Sequence, residues 1–125
     1  MKLNIDMKAY WHILSDNIME QYEFTSLLHD QEYGFSLTPP DITELIQKDI
    51  PIVLLVHLHS TTFDACSLFR HLHESMDATS LHIIAYTDKQ HDHEGIHRAK
   101  SLGVKYVCTK EQVKGLLSHI QKTVS

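Results

Sequence analysis

Eleven of the 125 residues are histidine, and two groups of them stand at spacings that could bind a metal. His93, Glu94 and His97 fit the pattern H-E-x-x-H. In it, two histidines one helical turn apart ligate zinc while the glutamate acts as general base, which would make a metal-dependent hydrolase. The context opposes this use. Gly95 interrupts what must be a short helix, and no further ligand follows at a metalloprotease spacing, so a solvated helix face is the plainer reading. His57 and His59 form the second group, directly after the apolar run Pro51–Val56. With Asp16 beside them they would suit Zn²⁺, Ni²⁺ or Cu²⁺ better than Mg²⁺, as in a metal or ligand sensor. Two other readings stay open. His57 fills a pocket as a neutral, hydrogen-bonded imidazole while His59 faces solvent, or His57 titrates against Asp16 as a pH sensor.

These residues need elements to hold them, and the chain alternates strand-like with helix-like segments throughout. The Ile52–Val56 run is short, apolar and rich in β-branched residues, as expected of a strand buried on both faces of a parallel sheet. Further strands are expected at Ala9–Leu14, Phe35–Thr38, Leu81–Tyr86 and Val104–Cys108. Helices are expected from Ile18 to about Gln31 (with inward apolar positions at Ile18, Tyr22 and Leu27/Leu28), after Asp41, from a Thr61-x-x-Asp64 capping box through Met76, from about His91 to Ser101, and at the carboxyl end. Gly103 reads as the stop of the fourth helix, and Thr109-x-x-Gln112 as a capping box that starts the last. Five β-α units predict one domain over residues 1–125: a doubly wound parallel sheet of five strands covered by helices on both faces. Ligands of such folds bind at the carboxyl ends of the strands. Here those ends offer Ser15-Asp16, His57, Thr87 and Thr109-Lys110.

Composition narrows the function classes. With 42% hydrophobic and 22% charged residues the chain is an ordinary globular domain. A net charge of −5 without any Lys/Arg cluster argues against direct nucleic-acid binding. Cys66 and Cys108 match no C-x-x-C spacing and read as buried small hydrophobes in a reducing cytosol. The amino-terminal residues lack a signal peptide's apolar core, and no apolar run reaches 18 residues, so a cytoplasmic location away from the membrane is expected.

The strand ends and their spacing resemble the receiver domains of two-component response regulators, over about residues 9–122, which implies a flavodoxin-like sheet with strand order 2-1-3-4-5. The interval from the third strand's end to Asp64-Ala65 is similar to that between a receiver's phosphoacceptor and its Asp-Gly. Thr87 resembles the conserved hydroxyl, Leu102–Val107 resembles the segment opening the fifth strand, and Tyr106 falls at the aromatic switch position. The resemblance stops at the chemistry. The acidic pair reads Ser15-Asp16, and His57 stands where the acceptor aspartate belongs. The Lys-Pro step reads Thr109-Lys110, which removes the cation unless the register slips by one.

A carboxylate nucleophile and Mg²⁺ with hard oxygen ligands are what receiver phosphorylation requires. The resemblance therefore implies a degenerate receiver whose former phosphorylation pocket is Ser15, Asp16, His57, Thr87 and Thr109. Thr87 and Tyr106 would form the switch and interface pair, alternatively only a strand-end threonine and a packed tyrosine. No cofactor, resident metal or catalytic residue is expected. The implied function is phosphorylation-independent protein–protein signalling through the fourth helix, fifth strand and fifth helix. The implied partner is a sensor kinase or output protein, with a homodimer as a further option.

Overall fold

A computed structural model describes residues 9–28, 31–41, 50–75, 81–89 and 91–124. Within them lie five strands, β1 (Tyr10–Leu14), β2 (Glu32–Ser36), β3 (Ile52–His57), β4 (Leu81–Thr87) and β5 (Tyr106–Thr109). Four helices accompany them: α1 (Ile18–Thr25), α2 (Ala65–Ser75), α3 (His93–Ser101) and α4 (Lys110–Val124). The helix expected after Asp41 falls outside the described residues. All pairings are parallel, as the alternation predicts, and the order is β2-β1-β3-β4-β5, as the receiver resemblance implies.

β3 is buried at all six positions because it pairs with β1 on one side and β4 on the other, with a helix layer above and below. Successive side chains point to opposite faces. Ile52, Leu54 and Val56 join Leu68, Phe69 and Leu72 of α2 and Ala99 of α3. Val53 and Leu55 join Phe24 of α1 and Val113 and Leu117 of α4. The next residue on that second face is His57, so the alternation itself turns its ring toward α1 and α4.

Several boundaries differ from expectation for identifiable reasons. The Thr61-x-x-Asp64 box does not form. Asp64 alone caps α2, accepting from the Cys66 amide and the Ser67 hydroxyl, each at 3.0 Å, while Thr61 is engaged elsewhere. α1 ends at Thr25 rather than near Gln31, because the Ser26 hydroxyl donates back to the Glu23 carbonyl and the Leu27 amide turns to Phe24. Strand β2 begins earlier than expected, with Glu32 opposite Tyr10. Gly34 suits this edge, since a Cβ there would run into the Tyr10 hydroxyl. On β1, His12 sits between Tyr10 and Ser36. The Ser36 hydroxyl donates to the Thr38 carbonyl, so it accepts from His12 Nε2, and Nδ1 accepts from Tyr10. Burial lowers His12 to about 4, in keeping with this neutral imidazole. Burial likewise pushes the Cys108 thiol up to about 11, although Cys66 and Cys108 are each partly buried rather than fully buried as expected.

α1 also breaks the expected pattern. Ile18, Met19 and Tyr22 are exposed, whereas Glu20, Gln21 and Phe24 face inward. Ile18 and Tyr22 adjoin Phe35 of β2 and Leu37 just after it around a cleft of about 380 Å³.

The two expected end signals of α3 and α4 are present. Thr109 and Gln112 exchange amide-to-side-chain bonds of 2.8 and 3.3 Å at the start of α4. Gly103, at φ 96°, closes α3 in the left-handed region, with the Val104 amide bonded back to Ala99. A side chain at that φ is strained, so Gly103→Ala should cost about 1–2 kcal/mol in urea unfolding without altering the far-ultraviolet spectrum.

Candidate functional site

The crevice at the strand carboxyl ends is organised around His57. Its ring lies parallel to Tyr86, with centroids 5.1 Å apart and an 18° interplanar angle, because the two residues are register partners on β3 and β4. The side chain is only 8% exposed. Nδ1 faces Asp16 Oδ1 at 3.4 Å and Nε2 faces Asp88 Oδ1 at 3.6 Å, but neither nitrogen makes a hydrogen bond among the described residues.

Asp16 follows β1 and is fixed by the loop after β3. The Thr61 amide and hydroxyl both donate to its Oδ2, at 2.9 and 2.7 Å. The amide bond is the principal reason its carboxyl lies below the usual range, helped by the Thr61 hydroxyl and by His57 and partly opposed by burial. Ser15 is wholly buried, and its hydroxyl donates to Glu20 at 3.0 Å.

Glu20 is the crevice residue that spacing did not reveal. It is 1% exposed on the first turn of α1, and Oε1 accepts from both the Ser15 and Tyr86 hydroxyls, the latter at 2.7 Å. A buried carboxylate needs such donors and a counter-charge. Lys110 supplies the charge, with Nζ 3.6 Å from Glu20 Oε2 and 3.4 Å from Glu23 Oε1. Lys110 is the first residue of α4, one position past Thr109, which ends β5 opposite Thr87. Burial first, then the neighbouring Glu20, raises the Tyr86 hydroxyl well above the ordinary tyrosine value, so it remains a proton donor.

The structure separates His59 from His57. His59 Nε2 donates to Asp92 Oδ2 at 2.5 Å, on the far rim of the crevice. Asp92 is also the N-cap of α3, accepting from the Gly95 amide at 3.1 Å. Burial raises its carboxyl, but bonds from His59, Thr87 and Gly95 outweigh that and leave it lowered. Thr87 is wholly buried, accepts from the Lys89 amide at 3.1 Å, and has its hydroxyl turned to Asp92. Tyr106 is half-buried against the α1/α4 core, and Thr109 is occupied in capping α4.

The H-E-x-x-H residues do not assemble a centre among the described residues. His93 and His97 are exposed, and Glu94 pairs with Arg98 at 2.9 Å. Gly95 has a local cause, since a Cβ there would meet the Asp92 carboxylate at 2.4 Å.

Matches among known proteins come through the fold. No family model matches the chain, and no curated protein sequence does. A receiver domain of a response regulator from Bermanella marisrubri superposes with a TM-score of 0.71 at 15% identity, covering 95% of this chain and 100% of that one. The fold is that of a response-regulator receiver domain. A response regulator described for Chloroflexus aurantiacus gives 0.71 at 14% identity, covering 93% and 99%. The beryllofluoride-activated receiver domain dimer of NtrC4 gives 0.64 at 13%, covering 95% and 100%. No helix among the described residues is long and apolar enough to cross a membrane.

Two outcomes follow from this receiver-fold crevice. Lys110→Met leaves the buried Glu20 without its cation and should cost on the order of 1–3 kcal/mol in urea unfolding. Asp16 has a folded pKa below its unfolded value, so its contribution is complete above about pH 4 and vanishes as pH falls through the folded value. Asp16→Asn should flatten the acid limb of urea-midpoint-versus-pH curves over that window.

Proposed function

We propose that this chain is a receiver-like signalling domain that acts without an aspartyl phosphate, by contact with a partner protein. One observation carries the reading: the residue ending β3 in the crevice is a buried histidine, not a carboxylate. An acyl phosphate needs a carboxylate nucleophile, and an imidazole cannot replace it as a hard Mg²⁺ ligand. The cation that would meet a phosphate oxygen is already paired with Glu20 and Glu23. Thr87 is turned to the cap of α3. The pocket Ser15, Asp16, His57, Thr87 and Thr109 is then a relic of phosphorylation.

The working surface in this reading is α3, β5 and α4, next to Thr87 and Tyr106. It presents exposed Arg98, Lys100 and Lys105 to a sensor kinase, an output protein or a second copy of the chain. The domain works in the cytoplasm as a binding module and not as an enzyme, and contacts neither nucleic acid nor membrane directly.

The test is an NMR titration with beryllofluoride and Mg²⁺, paired with intact-mass measurement after treatment with acetyl phosphate. The expected result is an unchanged mass and unmoved amides from residue 91 to residue 112. A phosphoryl adduct, or a shift of Thr87 and Tyr106 on adding the mimic, overturns the proposal.

A further inference from the structure

We propose that the crevice binds a first-row transition-metal dication, with zinc the best match, through His57, Glu20 and Asp88. One ligand atom from each of these three residues lies within 4.8 Å of the other two. Carboxylates at a strand end can cluster without any ion, so the histidine decides the matter. Its side chain is more than nine-tenths buried, both ring nitrogens lack a hydrogen bond among the described residues, and both point at carboxylates. A buried polar atom left so costs free energy that a ligand recovers.

The two nitrogens have different roles. Asp16 faces Nδ1, and the Thr61 amide and hydroxyl keep that carboxylate charged and fixed. A carboxylate there favours the proton on Nδ1 and leaves the Nε2 lone pair free. That is how a second carboxylate commonly orients a metal-bound histidine. Nε2 looks toward Asp88, whose half-exposed side chain can close onto an ion and provides the route of entry.

Glu20 completes the set. Its Oε1 is occupied by the Ser15 and Tyr86 hydroxyls, which leaves Oε2 as the donor. Lys110 now stands by Oε2 and would be displaced, but Glu23 lies at 3.4 Å to receive it. One imidazole with two carboxylates suits zinc and its neighbours, whereas Mg²⁺ prefers an all-oxygen octahedron. Binding would tie α1, the end of β3 and the start of the β4–α3 loop together, and so raise the melting temperature with zinc concentration.

The experiment is isothermal calorimetry of the full chain with ZnCl₂, alongside NMR of the histidine rings. One equivalent is expected to bind with a shift of the His57 ring. Asp88→Asn, on the exposed loop where folding is not at risk, should weaken affinity tenfold or more, and Asp16→Asn about 10–100-fold. Lys110→Met should tighten binding. His93→Gln/His97→Gln should leave it unchanged, and millimolar Mg²⁺ should not compete. Failure of the native chain to bind zinc overturns the proposal. So does native-like affinity in Asp88→Asn, or loss of binding in the His93/His97 double variant.

Discussion

Everything in this domain hangs on β3 being inaccessible from either side. Hydrogen-bonded to β1 and β4 and covered by α2 and α3 on one face and α1 and α4 on the other, it has no solvent-facing position to give up. The strand therefore cannot slip by a residue without exchanging Leu54 and Leu55 between two different cores. That rigidity is passed on to its last residue. His57 is held by the strand's register, by the parallel stack on Tyr86 and by its position between two carboxylates. Its orientation is a consequence of the strand rather than of any bond of its own.

The buried polar layer around it is assembled from four elements. Ser15 comes from the end of β1, Glu20 from α1, Tyr86 from β4 and Lys110 from α4. Each answers a need of another: Glu20 receives two hydroxyl protons and a cation, and Tyr86 gains an acceptor for a hydroxyl that burial forbids to ionise. The edge Phe24–Tyr86 contact, with centroids 5.2 Å apart at 83°, joins this layer to the apolar core beneath it.

The sheet order was legible through the receiver resemblance, while the strands β1, β3 and β4 were legible in the chain because they depend on local apolar runs and short connections. The Thr109/Gln112 box and the Gly103 stop were legible for the same reason. Glu20 was not. Apolar spacing pointed Ile18 and Tyr22 inward, while Asn17-x-x-Glu20 looks like an ordinary helix start. Asn17 does cap α1, accepting from the Met19 and Glu20 amides, but the Glu20 side chain turns inward to partners far away in sequence, with Tyr86 66 residues on. No local period reports such a match. His59 misled in the opposite way: two residues from His57 on paper, it belongs to a different cluster because the chain turns at Leu58 as soon as β3 ends.

Asp92 shows how small a group can join two parts of a rim. A carboxylate has about four lone-pair directions, and here His59, Thr87 and the Gly95 amide draw on them together. The turn after β3 and the first turn of α3 consequently share a single fastening. Opening either one strips a partner from the same carboxylate, so the two loops should exchange their amide protons as one cooperative unit, though 33 residues of chain separate His59 from Asp92.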